Sequence, residues 1–338
     1  MKIATFCSRN GGSQIGVVLE AAHQMVPLQD NHTRKKGVPS PDFEDMLAFL
    51  SGGERARALA REMLDAPVQT LALDEVTLQS PVPRPESIRD CMAFEQHIIN
   101  CIRKVGLKKL APMDVALERF FGRKRSLAGK MNRAWYAQPV YYKSNRFSVI
   151  GDGDKVVRPS YTRQLDYELE WGVFIGKQGR DIPEEKARQY IGGFTIFNDF
   201  SARDIQMKEQ GGRLGPAKGK DFDTGNAIGP WLVTPDEIAD PYNLTMRATV
   251  NGEEWSRGTT ADMHYSFEEI IAYISKSETL YPGEFIGSGT CSGQLGSGCG
   301  LELGKFLNDG DTVSLSVSGI GTLTNTVASA GRLSSNTV

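Results

Sequence analysis

Apolar and polar positions alternate in short runs over much of this chain and follow a helical period in only a few places. Lys2–Phe6, Ile15–Glu20 and Met25–Leu28 read as strands, separated by Asn10-Gly11-Gly12 and other turn signals. Asp42–Leu50 and Glu54–Leu64 carry helical spacing, with Ser51 as a cap between them. In Ser80-Pro81-Val82-Pro83-Arg84-Pro85 three prolines forbid a helix and disfavour a central strand, which marks a connector. Ser87–Lys104 and Ala111–Phe121 again have helical spacing. From Val140 onward, short β-branched and aromatic runs alternate with Gly-rich turns, interrupted by helical stretches at Glu184–Tyr190 and Ser266–Ser275. The polar tail 331–338 is expected to fray.

The pattern predicts a small N-terminal domain of strands and helices over residues 1–80, a connector at 81–85, and a large, mainly β domain with a few helices over 86–330. It is not a βαβ array. The length of 338 residues agrees with about two domains on the prior of roughly 150 residues each.

Composition narrows the functional classes. Hydrophobic residues are 40% and the net charge is −2, which argues against a whole-chain nucleic-acid binder and leaves room only for a local basic patch. It carries no run of 18 apolar residues, so no membrane span is expected. The five cysteines (Cys7, Cys91, Cys101, Cys291, Cys299) are scattered without a CxxC pair, which argues against a disulfide framework and a zinc ribbon. A cytoplasmic location is the expectation.

The chemistry concentrates in three stretches. Leu165–Gly176 reads as a strand entering the core, and on a strand residues two apart share a face. Glu168 and Glu170 therefore project side by side, a costly arrangement unless a cation lies between them or one holds a proton. A solvated acidic edge is the alternative reading of the pair. Asp199 falls at the C-terminal end of a second apolar run, Gly192–Asp199. Three carboxylates suit a hard, oxygen-seeking ion such as Mg²⁺, Mn²⁺ or Ca²⁺. The four histidines (His23, His32, His97, His264) show no zinc spacing. Gly219–Trp231 reads as a loop carrying Lys220, which a surface lysine would also explain. Gly287-Ser288-Gly289-Thr290-Cys291-Ser292-Gly293 lets backbone N–H groups approach an anion, but it is neither a P-loop nor a dinucleotide fingerprint.

Taken in order, Glu168-Leu169-Glu170, Asn198-Asp199-Phe200-Ser201-Ala202-Arg203-Asp204, Gly219-Lys220-Asp221-Phe222-Asp223-Thr224, Gly289-Thr290 and Gly319-Ile320-Gly321-Thr322-Leu323 resemble the fumarylacetoacetate hydrolase family. The likeness runs from about Pro81 to Val327, and the preceding segment looks like the small N-terminal domain of longer members. The resemblance implies a mixed, mainly β fold: a mixed β-roll catalytic domain with a small α+β N-terminal domain, usually as a homodimer. It implies that Glu168, Glu170 and Asp199 hold Mg²⁺ or a similar ion, that Lys220 is catalytic, and that Arg203, Gln206 and Thr290 contact substrate. Lys143 falls where one branch has a substrate-contacting tyrosine.

The general base departs from the family pattern. In the branch that uses a His–Glu pair, Glu302 matches the Glu, but Ser148 stands in the histidine's place and Tyr141 in that of a fourth metal carboxylate. In the smaller acylpyruvase-like members the pair lies on a helical lid, where His97 keeps the histidine and Asn100 replaces the Glu. His97 and Glu302 are thus alternative bases. His264 is expected to be structural, and Arg213 to face solvent. The resemblance implies a hydrolase that cleaves a C–C bond in a β-diketone or acylpyruvate-type oxo acid. A decarboxylase, hydratase or isomerase on the same site is the alternative, and a non-catalytic metal-binding protein a remote one. Substrate would be a small oxo acid, with neither nucleic acid nor membrane as partner.

Overall fold

Nine strands form the frame on which the polar residues are placed: β1 Lys2–Ser8, β2 Ser13–Leu19, β3 Gln24–Pro27, β4 Ile88–Cys91, β5 Tyr141–Ser144, β6 Leu169–Ile175, β7 Ile191–Asp199, β8 Asn226–Val233 and β9 Phe285–Gly287. The structure, a computed structural model, describes residues 1–8, 12–212 and 214–329. Arg213 and the tail 331–338 lie outside the described residues. The main sheet runs β3-β2-β1-β8-β7-β6-β9-β4-β5, with Leu71–Ala72 at the β3 edge and two short strands off this path. A second, five-stranded sheet contains Thr245–Val250, Glu253–Thr259, Thr312–Val317, Gly321–Ala328 and Lys155–Val157. This is the mixed, mainly β architecture expected from the sequence.

The N-terminal segment is tied in through the sheet as well as the connector, since β1 pairs antiparallel with β8 through Lys2↔Val233 and Ile3↔Leu232. Two apolar clusters form. In one, helix α1 (Leu28–Lys36) and helix α2 (Met46–Asp65) place Leu28, Met46, Phe49 and Leu50 against Ile3, Ile88, Phe174, Phe197 and Phe285 of the main sheet. In the other, Trp171, Val173 and Ile196 of that sheet pack with Met246, Leu315 and Leu323 of the second sheet. Alternate residues of β6 thus divide between two cores, which explains why all seven are buried.

Four sequence expectations change. The two helices expected at 42–64 are one element, Met46–Asp65, broken at Gly53 (φ 55°, ψ −129°) and not at Ser51. Its left-handed φ suits a residue without Cβ. Helix α1 is too polar to show an apolar stripe, and it buries only Leu28, Asn31 and His32. The stretch expected as one helix from Ser87 begins as strand β4, and the helix proper, α3, spans Glu95–Cys101 before a wider π-type turn over Ile102–Leu107. Gly219–Trp231 is not all loop, because its second half enters β8 between β1 and β7. Pro230 is tolerated there because the β7–β8 register slips between Phe194 and Ile196, where a residue without N–H costs least. Among the described residues no helix is long and apolar enough to cross a membrane.

Candidate active site

Strand periodicity builds the acidic group. Ile88 and Asp90 share a face of β4, Phe285 and Gly287 the same face of β9, Phe174 and Glu170 that of β6, and Phe197 and Asp199 that of β7. One end of this face is aromatic, with Phe285 centred 5.0 Å from Phe174 and 5.2 Å from Phe197. The other end carries carboxylates. Oxygen atoms of Asp90, Glu170 and Asp199 lie within 4.8 Å of one another, all buried. Asp90 reaches across β9 because Gly287 stands between them; a Cβ there would lie 2.5 Å from Asp90 Oδ1. Gly289, at φ +78°, donates its N–H to Glu170 (3.0 Å) and Asp90 (3.2 Å). Thr290 Oγ1 donates more weakly to Glu170, at 3.4 Å. The Tyr142 hydroxyl donates to Asp199 Oδ2.

Glu168 joins this group but faces two cations. Its Oε2 accepts from Lys220 Nζ at 2.5 Å, and its Oε1 lies 2.8 Å from Arg203 Nη2. Lys220 also pairs with Asp199 Oδ2. Arg203 donates through Nε to Asp166 (2.7 Å) and through Nη1 to Gln206 Oε1 (2.9 Å). Asp166 in turn accepts the N–H groups of Gly300 (2.7 Å) and Leu301 (2.9 Å), so one buried carboxylate ties Arg203 to the turn that carries Glu302.

Burial and opposing charges divide these carboxylates. Burial and the Asp199 charge push Asp90 up to about 8. Burial raises Asp199 to about 6 against the pull of Lys220, and burial with the Asp90 charge holds Glu170 well above the usual carboxylate range. Burial acts on Glu168 too, but Arg203 and Lys220 outweigh it and keep Glu168 ionised. Three carboxyls that resist ionising together are a set that a divalent cation would relieve. Asp199 Oδ1 is moreover buried without a hydrogen-bond partner. All-oxygen donors and that orphaned atom fit a hard ion.

Facing this group across a cavity of about 540 Å³ is a second constellation. His97, on α3, places Nδ1 2.7 Å from Glu302 Oε1. Asn100, one helical turn on, donates to Glu302 Oε2 at 2.5 Å, and Ser292 donates to Oε1 at 2.5 Å. The two bases that the sequence offers as alternatives are thus one dyad, with Asn100 orienting the carboxylate. Burial opposes charge on His97, but Cys101, Cys299 and Glu302 more than offset it and hold the imidazole well above its ordinary value. Burial raises Glu302, and contact with His97 outweighs that and lowers it. Both shifts favour an imidazolium–carboxylate pair.

Among the expected site residues, His97, Glu168, Glu170, Arg203, Gln206, Lys220 and Thr290 line the cavity, and Glu302 and Asp199 contact that lining. Lys143 is exposed and does not line it; its neighbours Tyr141 and Tyr142 do. His264 packs its ring 4.7 Å from that of Trp135, a structural contact. Sequence reasoning missed Asp90, and the signal was Ile88-Arg89-Asp90-Cys91 read as a strand.

Comparisons with known proteins bear on the family and the fold. The family model described as fumarylacetoacetate (FAA) hydrolase C-terminal matches residues 119–328. A human protein named oxaloacetate tautomerase FAHD2A, mitochondrial, is 33% identical over 282 residues, which cover 83% of this chain and 79% of that one. Among solved structures, maleylpyruvate hydrolase from Sphingobium sp. SYK-6 matches with a TM-score of 0.70 at 22% identity, covering 97% of this chain and 100% of that one. A further structure of that hydrolase is a complex with manganese(II) ion and pyruvate. Fumarylacetoacetate hydrolase from Exiguobacterium antarcticum matches with a TM-score of 0.71 at 25% identity, over 97% and 99% of the two chains. The chain belongs to the fumarylacetoacetate hydrolase family. It is an enzyme of that family, whose members here carry hydrolase, tautomerase and isomerase names.

Proposed function

We propose that the protein is a divalent-metal-dependent hydrolase that cleaves a C–C bond in an acylpyruvate-type or related β-dicarbonyl oxo acid. The observation that carries this reading is the His97–Glu302 dyad facing the carboxylate group across one cavity. Glu170, Asp199 and Asp90, with Glu168 beside them, would hold Mg²⁺ or Mn²⁺. Such an ion, when bound, supplies Lewis-acid polarisation of the two oxygens that a dicarbonyl or 2-oxo acid presents.

The chain's own groups do the rest. Glu302 holds His97 through Nδ1 and stabilises the charge that the imidazole gains on taking a proton from water. Lys220, kept charged by Asp199 and Glu168 against burial, stabilises negative charge developing on the substrate. Gln206 accepts from Arg203 and leaves its amide NH₂ as a donor to the substrate.

A second reading, keto–enol tautomerisation of a 2-oxo dicarboxylic acid, is favoured by the relatives that carry the oxaloacetate tautomerase name at 30–33% identity. It would use the charged His97 as a proton donor. Turnover of acylpyruvates, fumarylacetoacetate and oxaloacetate, before and after chelation and with Mg²⁺ or Mn²⁺ restored, separates the two. Hydrolysis yields two acids by mass and a rate that rises with pH as His97 loses its proton. Tautomerisation yields an unchanged mass, a change in enol absorbance, and a rate that falls over the same range.

A further inference from the structure

The dyad has sulfur neighbours that the proposed reaction does not use. Cys101 lies one helical turn from His97, its Sγ 3.6 Å from Nε2 and 3.9 Å from Nδ1. Cys299 Sγ lies 3.7 Å from Glu302 Oε1. Donor atoms of His97, Cys299 and Glu302 all fall within 4.8 Å of one another. Both thiols are free. Tetrahedral zinc, with bonds of about 2.0–2.3 Å, holds its ligand atoms roughly 3.3–3.8 Å apart, so the Cys299 thiol, the His97 imidazole and the Glu302 carboxylate stand near that spacing, while Cys101 lies outside this group beside Nε2.

We propose that His97, Cys299 and Glu302 form a second cation site, for a thiophilic divalent ion of the zinc class, whose occupation silences the enzyme. Softness separates this site from the carboxylate group. Oxygen-only donors suit Mg²⁺ or Mn²⁺, whereas a sulfur and a nitrogen favour zinc over magnesium. Access exists, because His97 and Cys101 both line the cavity. Binding replaces the His97–Glu302 hydrogen bond with one bond from Nδ1 and one from the carboxylate to the ion, and releases the Cys299 thiol proton and the Nδ1 proton to solvent. With the ion on Nδ1, the neutral ring keeps its one remaining proton on Nε2, which then has no lone pair to take a proton from water. Binding does not depend on the proposed hydrolase reading, and only its inhibitory effect does.

Cobalt(II) serves as the probe, added to the Mg²⁺-saturated full chain. A cobalt–thiolate charge-transfer band is expected, saturating at a single ion per chain and displaced by Zn²⁺. In the C101S/C299S variant the band is lost, and Mg²⁺-dependent turnover persists with Zn²⁺ inhibition weakened by more than about tenfold, since loss even of a supporting contact costs 10- to 100-fold in affinity. Absence of a thiolate band in the wild-type chain overturns the site, as does a band that survives in the double variant. Should the buried Cys299→Ser change prevent folding, His97→Gln decides: the cobalt band is expected to need more than about tenfold more Co²⁺, and an unchanged titration overturns the site. A band without Zn²⁺ inhibition keeps the metal site and overturns the catalytic role of the dyad.

Discussion

The two walls of the cavity are built by different means. The carboxylate wall comes from strands β4, β6 and β7, neighbours in one sheet except for β9, which is narrowed to glycine where Asp90 crosses it. Its groups are fixed by a ladder and by aromatic packing behind it, and they oppose one another electrically. The His97 wall joins a short helix to a turn 205 residues away, held by hydrogen bonds from Asn100 and Ser292 and by the Asp166 link to the backbone of Gly300 and Leu301. One wall is rigid and frustrated in charge, as a metal site is before its ion arrives. The other is satisfied in charge and depends on where two short elements meet. Removing a group from the first should abolish binding and chemistry together, and from the second chemistry alone.

That contrast breaks most visibly at Glu170. Glu170→Gln is expected to lower metal-dependent turnover by at least about 10³-fold, since the several kcal/mol that an ion supplies is lost with it. Calorimetric titration with Mn²⁺ should show the matching loss of binding. Next in size is His97→Ala, expected to cut kcat by about 10²- to 10⁴-fold. Unchanged Mn²⁺ affinity in the same variant would set the two walls apart, and a parallel loss of affinity would merge them.

Gly287→Ala tests the geometry of the first wall alone. A methyl group 2.5 Å from Asp90 Oδ1 should push that carboxylate aside and weaken Mn²⁺ binding about 10- to 100-fold. Asn100→Ala should cost about tenfold or less in kcat, because it frees Glu302 Oε2 without removing the dyad.

The smallest effect is on stability. In the ion-free protein Asp90 keeps its proton to about 8 and Asp199 to about 6, while both ionise near 4 when unfolded. The native chain therefore binds more protons than the unfolded chain between those limits, and stability falls as pH rises. The chelated protein should melt several degrees lower at about pH 8 than at about pH 5.5, and Mg²⁺ should narrow the gap. An equal gap with and without Mg²⁺ would remove these carboxyls as the ion's ligands.

Parts of this molecule are visible in the chain and parts are not. Glu168, Glu170 and Asp199 stand out because strand alternation and apolar flanks are local properties, readable within a dozen residues, whereas Lys220 sits in a loop that reads as surface and enters only through the family resemblance. Asp90 is hidden because the four residues of β4 run into a helical stretch, and the longer period masks the shorter. Strand β8 reads as a loop because Gly225, Gly229 and Pro230 are turn residues by composition, whereas a slipped register in the sheet tolerates them.

By itself, then, the sequence determined which residue types are available and which of them share a strand face, because side-chain direction follows the backbone period. The tertiary structure alone decided that Asp90 joins the acidic group, that His97 takes its partner from Glu302, and that two cysteines close around that pair. Those contacts span up to 205 residues, and no local pattern encodes a meeting that only the packing of sheet, helix and turn brings about.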